Sequence, residues 1–283
     1  MIELDAATVL LQWAAGGWFF LWITTRRREV GLGYGWLMRG VYLLMLVGAL
    51  IIAGRFGTVP GREVLPVAMA VVGTATLALS VARKSAGVAG QRARVEASTA
   101  RVAAMTGIDR AEQRFDPDAP EFPPVLDLIT AAIGLVALIP AGLDAGDPAA
   151  LVVARTVVGA LFLGAVTDAM LLGHWYLVQP GLARGPLLEL VRWTAALWPL
   201  EVLVMLWPTG MVSVLNGTID DGYNGLLGWF WVACVIATIV LLGVTRAALK
   251  EREYSAVMAA TGLLYLAILT AFGMDLVARA TLA

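Results

Sequence analysis

The sequence predicts an all-α, polytopic integral membrane protein of about eight transmembrane helices, and three observations carry that reading. Hydrophobic residues make up 60% of the 283 residues and charged ones 14%, where soluble domains run at about 45–50% and about 25%. Mean hydropathy is +0.81. The apolar residues gather in long runs with few charges, each near the ~20 residues a helix needs to cross a ~30 Å hydrocarbon core. Such runs are too long, and too lacking in alternation, for the strands of a membrane barrel.

Eight runs follow one another, at residues 7–25, 36–54, 65–83, 124–143, 150–179, 187–215, 225–247 and 254–278. The first is preceded by the acidic stretch MIELD, without the basic flank of a signal peptide, so it reads as a retained span. Arg26 to Arg28 follow it, and the third run ends in Arg83 and Lys84. The fifth and sixth exceed one bilayer crossing, which predicts tilt or extension beyond the membrane. Arg184 lies in the turn between them, and the seventh exits through TRAALKERE. The opposite loops carry DAGD (144–147) and TIDDGYNG (218–225), with Arg55 and Arg62 in the remaining one. Most of the 20 basic residues thus fall on one side. That side is expected to be the cytoplasm, in a cell (inner) membrane, with both termini outside.

Residues 1–83 hold the first three spans, and residues 84–123 form the longest polar segment. Within that segment Val95, Val102 and Met105 recur at helical spacing with Arg94 and Arg101 a turn away, the pattern of a short helix at the inner membrane surface. FDPDAPEFPP, acidic and proline-rich, reads as an extended connector. Residues 124–143 form the fourth span, and residues 144–283 a second four-helix half. AAIGLVAL (131–138) matches AATGLLYL (259–266), and GGWFFL (16–21) matches GHWYLV (173–178). Four spans separate each pair, so the halves read as a parallel repeat. Small and aliphatic residues also produce short matches by composition alone, so both readings stay open. If the repeat holds, Gly17 stands where the second half has His174, and the ionisable groups sit in the second half only.

The single cysteine, Cys234, excludes an internal disulfide and a cysteine-cluster metal site. The single histidine, His174, excludes bis-histidine haem ligation and a histidine metal cluster. No metal site and no covalently bound cofactor is expected. The basic residues are loop flanks without the clustered face that nucleic acid requires.

Charges inside hydrocarbon cost roughly 2.5–3.5 kcal/mol each on insertion scales, so their depth matters. Asp168 lies about 18 Å from the fifth span's end at Pro180, and Glu201 about 22 Å beyond Pro186, by the rise of 1.5 Å per residue. With a short turn joining spans five and six, the two acids are expected at similar depth, as proton-handling groups or as protonated structural ties. His174 and Arg192 reach a shallower layer, where Glu189 is expected to pair with Arg192. Asp168 shares a helical face with Trp175 and roughly with Gln179, while His174 aligns with Thr167. A polar-aromatic stripe of this kind lines a passage or a pocket the size of a lipid head; Trp175 and Tyr176 also fit an aromatic belt. Pro199 and Pro208 flank Glu201 and are expected to free backbone carbonyls near the acid. Arg39, Asp127, Arg155, Asp275 and Arg279 fall at span ends.

Eight spans in two four-helix halves resemble the quinone-interacting membrane anchors of some respiratory oxidoreductases, in span count and not in motif. The resulting expectation is a membrane subunit that binds a quinone-like or other lipophilic molecule, a quinone or a lipid, and handles protons near it. Proton handling falls to Asp168 and Glu201, and ligand binding to His174, Trp175, Tyr176, Gln179 and Arg192, between spans five and six. Having no redox centre of its own, such a chain would require a redox or other membrane-complex subunit at the cytoplasmic face, and it is not expected to be an enzyme on its own. A proton-coupled secondary transporter and a non-catalytic scaffold or assembly protein are the alternatives.

Overall fold

The computed structural model describes residues 6–56, 63–106, 115–116, 118–144, 148–179 and 181–282, with backbone alone at 98, 99, 101–103 and 106. The MIELD stretch, Arg62, residues 145–147, Pro180 and the side chains of Arg101 and Val102 lie outside the described residues. Among the described residues the chain is all-α and forms ten α-helices: α1 (Ala6–Thr25), α2 (Leu32–Phe56), α3 (Val64–Ala82), α4 (Ala89–Thr106), α5 (Val125–Asp144), α6 (Ala149–Val178), α7 (Gly185–Leu206), α8 (Gly210–Leu215), α9 (Leu226–Ala248) and α10 (Tyr254–Thr281). Seven are long and apolar enough to cross a membrane: α1, α2, α3, α5, α6, α9 and α10. Helix α7 has 22 residues and packs along α6, but carries Glu189, Arg192 and Glu201. The architecture is that of a polytopic membrane protein of about eight spans.

The sixth apolar run, read as one span, is two helices. Pro208 lacks an N–H and cannot continue the ladder, so α7 ends at Leu206 and α8 starts at Gly210. Pro199 remains inside α7, whose start has proline at its first turn, where no backbone donor is needed. In the linker, the expected helix is α4, whose first turn is fixed by a bond from Gly90 N to Arg28 O (2.9 Å).

Helices α1 and α6 form the centre and pack on each other. Helix α1 also carries α2 and α5, with α3 outside them; α6 carries α7 and α10, with α9 outside. The same neighbour plan therefore recurs in both halves. Helix α1 is the most buried of the crossing helices and α3 the least. The contact between α1 and α6 is backbone to backbone. A methyl group on Gly16 would fall 1.7 Å from the Ala160 carbonyl oxygen, and one on Gly164 would fall 2.2 Å from the Gly16 carbonyl carbon. Membrane helices have no hydrophobic drive to associate, so close approach through small residues supplies the packing.

The two ends of the bundle differ. At the end bearing the linker, Arg26 and Arg27 both bind Glu189, joining the α1–α2 turn to α7. Glu189 therefore does not pair with Arg192 as expected, because two arginines from the neighbouring turn reach it first. Arg28 and Arg92 both bind Glu121, and Arg184 donates to the carbonyls of Leu249, Arg252 and Glu253. At the opposite end Asp221 holds the start of α9, accepting from the N–H groups of Tyr223 (2.9 Å), Gly225 (2.8 Å) and Leu227 (2.9 Å).

Two predictions follow from this packing. Gly164→Ala is expected to force α1 from α6 and to cost at least about 1–3 kcal/mol, the range for overpacking. Gly40→Ala, with nothing within 4 Å of the added methyl, serves as the neutral control. Unfolding in detergent or nanodiscs measures both. The second concerns Asp221. Desolvation pushes its carboxyl up, but the N–H groups of Gly225, Tyr223, Leu227 and Gly228 outweigh it and hold the pKa below its ordinary value of 3.8. A lowered folded-state pKa gives a contribution present above the unfolded value and lost as pH falls through the folded one. Amide exchange at the start of α9 should therefore accelerate only below that ordinary value, and Asp221→Asn should show the fast exchange at neutral pH.

Candidate functional site

Asp168 is fully buried on the face of α6 turned toward α2. Its Oδ1 accepts from the Tyr34 hydroxyl at 3.1 Å and its Oδ2 from the Tyr42 hydroxyl at 3.0 Å. Gly17 makes room for this arrangement, since a methyl there would fall 2.2 Å from the Tyr42 ring. The same stretch of α6 is tied to α1 by Trp13 Nε1 donating to Thr167 Oγ1 at 2.9 Å. Each Asp168 oxygen thus has a donor, and the buried polar group is satisfied.

A second polar centre lies in the first half, where sequence reasoning assigned none. Arg39 and Asp127 are 1% and 0% exposed and form a two-pronged ion pair, Nε to Oδ1 at 2.8 Å and Nη2 to Oδ2 at 2.7 Å. Arg39 Nη1 also donates to Ser80 Oγ (3.0 Å), and Thr25 Oγ1 to Asp127 Oδ2 (3.0 Å). The Phe122 ring lies 4.3 Å below the guanidinium. Both charges sit near helix ends by residue count, as expected, but the linker residue Phe122 and α3 close over them. Distance from a span end does not measure burial when a linker folds back.

Above these groups, at the linker end, is an open cleft of about 460 Å³. Its walls are the α1–α2 turn and start of α2 (Gly31 to Gly33, Trp36), the α3–α4 junction (Lys84, Ser85, Gln91), Phe115, and the end of α6 (Trp175, Gln179). Trp175 meets Tyr34 edge to face, with ring centres 6.0 Å apart, and donates to Gln179 Oε1 at 3.2 Å. Tyr34 thus has the cleft-lining Trp175 on one side and Asp168 on the other.

Not every expected site residue reaches this cleft. Trp175 and Gln179 line it. Tyr176 is buried with its hydroxyl on the Ala183 carbonyl, closing the α6–α7 turn. His174 is exposed on a different face of α6, with Nδ1 3.0 Å from the Tyr265 hydroxyl of α10. Arg192 is exposed on α7. Trp175 and Gln179 thus meet α2 and the linker, and the cleft they line is not between spans five and six.

Glu201 belongs to a different cluster from Asp168. It is fully buried, and the charged groups acting on it are Asp275 and Arg279 of α10 and Arg155 of α6. Gly159 gives this cluster its space: a methyl there would meet Gln12 Nε2 at 2.5 Å, Asp275 Oδ1 at 2.7 Å and Arg279 Nη2 at 2.8 Å. Arg155 donates from Nε to the Val204 carbonyl (2.8 Å) and from Nη2 to that of Trp207 (2.7 Å). Val204 O would bond the N–H four residues on, and Pro208 has none. The carbonyl that Pro208 frees near the acid is therefore taken by Arg155. Sequence reasoning assigned Arg155, Asp275 and Arg279 to span ends; the four-residue spacing of Asp275 and Arg279 was the available signal.

No known family model, curated protein or solved structure matches the chain. Among the described residues no group of three His, Cys, Asp or Glu side chains is placed to hold a metal ion.

The Arg39–Asp127 pair yields a test of its role. Arg39→Met leaves a buried carboxylate uncompensated and is expected to cost about 3–5 kcal/mol. Arg39→Met combined with Asp127→Leu should recover most of that loss. An unfolding series on the two variants measures the recovery; a double variant as unstable as the single one would assign the pair a role beyond mutual compensation.

Proposed function

We propose that this protein is a membrane subunit that binds a lipophilic molecule with a polar head, of quinone type or a lipid, in the cleft between the α1–α2 turn, the linker and the end of α6. The observation that carries this reading is the graded lining of the cleft. Trp36, Trp175 and Phe115 offer flat apolar walls, while Lys84, Ser85, Gln91 and Gln179 offer polar contacts. Ligand sites of this kind are mostly apolar, with few placed polar groups, and span about 300–1,000 Å³.

The proton-handling part of the reading rests on Tyr34 and Asp168 behind Trp175. A carboxylate held by two hydroxyls is a group through which a proton can be passed, provided the tyrosines reorient. The direct hydrogen-bonding role expected of His174 moves to Gln179 and Gln91. A redox or other partner subunit would dock at the linker end, where the arginines Arg26, Arg27 and Arg28 are exposed. In keeping with the basic bias of that end, it is assigned to the cytoplasm of a cell (inner) membrane, with both termini outside. Glu201, buried without a hydrogen-bond donor, favours a second reading, proton-coupled transport, in which Glu201→Gln abolishes uptake while Trp175→Ala does not.

Native mass spectrometry of the protein gently extracted from its host membranes tests the first reading. A retained quinone or lipid, together with a partner subunit, is the expected result. A bare, ligand-free chain overturns it. A short-chain quinone titrated by tryptophan fluorescence then maps the site. Trp175→Ala should weaken binding about ten-fold, equivalent to about 1.4 kcal/mol, and Gln179→Ala should act in the same direction. His174→Ala should leave binding unchanged.

A further inference from the structure

Among the fully buried acids of the described residues, Glu201, away from the cleft, alone has both carboxyl oxygens without a hydrogen-bond partner. Both Glu201 oxygens and both polar atoms of the Gln12 amide are buried without a hydrogen-bond partner. The hydrogen bonds of the neighbouring arginines go elsewhere. Arg279 Nε binds both Asp275 oxygens at 3.0 Å, and its Nη2 binds the Arg155 carbonyl at 3.0 Å. Arg155 Nε and Nη2 hold the carbonyls at the end of α7. What lies across from Glu201, within hydrogen-bonding reach, is the carboxyl of Asp275.

Two carboxylates present only acceptors, so a hydrogen bond between them exists only when one carries a proton. We propose that Glu201 and Asp275 share a single proton across the α7–α10 interface and form a buried, reversible proton-binding site. Glu201 is its donor, because Asp275 is already committed as acceptor to Arg279. The charged groups facing Glu201 are Arg155 from α6 and Asp275 and Arg279 from α10, and the neutral Gln12 from α1 stands with Asp275 and Arg279 at Gly159.

Their charges make the proton exchangeable. Repulsion between two acids and burial away from water favour holding it. With the proton bound, two arginines face one carboxylate; with it released from Glu201 Oε, two arginines face two carboxylates and the cluster is neutral. These terms oppose each other, so neither state is locked. The Gln12 amide, with donor and acceptor both unused, stands beside Asp275 and Arg279 at Gly159 and adds no charge to either state. The site shares no residue with the cleft, and its fate is independent of the ligand-binding reading.

The test is carbon-13 spectroscopy of the full chain in lipid nanodiscs, with glutamate labelled at the side-chain carboxyl. Glu201 is the only fully buried glutamate among the described residues, so its signal is recognisable in the unmutated protein. One glutamate is expected to show a protonated-acid signal near neutral pH, to convert to carboxylate at higher pH, and to vanish in Glu201→Gln. That variant keeps a donor for Asp275, so its unfolding midpoint should stay at the wild-type value. Carboxylate signals alone at neutral pH overturn the proposal. So does a midpoint loss in Glu201→Gln, which would mean that the arginines require its charge. A Glu201 signal displaced by sodium chloride, but not by choline chloride, would also overturn it and assign the cluster to a metal cation.

Discussion

The backbone contact of α1 with α6 is the constraint on which the rest depends. With no side chain at Gly16 or Gly164, the two central helices meet at carbonyl distance, and the neighbours of each are drawn close around them. The same spareness continues on both sides of the crossing. One residue along α1, Gly17 admits the Tyr42 ring that reaches Asp168. A little more than a turn along α6, Gly159 admits Gln12, Asp275 and Arg279. Polar regions thus lie on both sides of the crossing, and Ala14, Ala15, Trp18, Ala160 and Leu163 are fully buried in the apolar core with it. In a lipid solvent, polar side chains gather where backbone can approach closely, because that is where partners from three or four helices come within reach.

The polar regions resolve the cost of burial in different ways. Asp168 has two tyrosine donors, and Asp127 has a guanidinium and a threonine hydroxyl. Both are complete by ordinary hydrogen-bond accounting, and completeness is what a structural tie requires. Glu201 and Gln12 are incomplete. An unsatisfied buried acceptor costs about 1–3 kcal/mol, and more for a charged group. A proton is the smallest species that removes that cost, since it turns an acceptor into a donor without needing a cavity. Of the two acids singled out by depth, Glu201 is therefore the one whose packing leaves its oxygens without partners, while the hydrogen bonds of Asp168 are complete.

Composition and run length made the membrane class and the helix count legible, because the bilayer imposes a length that local sequence must meet. Periodicity in residues 89–106 made α4 legible for the same local reason. The convergence of charges was not legible. Residue counts gave Asp168 and Glu201 similar depths, yet they face different helices, because depth along a span carries no angular information about its neighbours. Arg39 and Asp127 read as end charges, and only the linker folded over them, with Phe122 on the guanidinium, makes them core. Arg155 and Arg279 read as end charges too. Apart from the Asp275 carboxylate four residues before Arg279, their partners are backbone carbonyls of Val204, Trp207 and Arg155, contacts that leave no trace in side-chain identity beyond that spacing and Pro208.

The position of the only histidine follows from helix geometry. From Asp168 to Trp175 is seven residues, about 700° of rotation and within about 20° of two full turns. Those two residues share a face, and that face meets α2: Asp168 through Tyr34 and Tyr42, Trp175 through the Tyr34 ring. His174 shares its angle instead with Thr167, also seven residues before it. Thr167 binds Trp13, whose ring packs on Phe272 of α10 at 4.4 Å, and His174 binds Tyr265 of α10. One residue of offset thus turns the imidazole from the cleft to the seam with α10. A histidine among apolar neighbours draws attention because it is rare, but rarity along a chain says nothing of which face it occupies. Here the face of α6 that meets α2 and lines the cleft is the one marked by Asp168, Trp175 and Gln179, and the histidine is part of what holds α10 against α6.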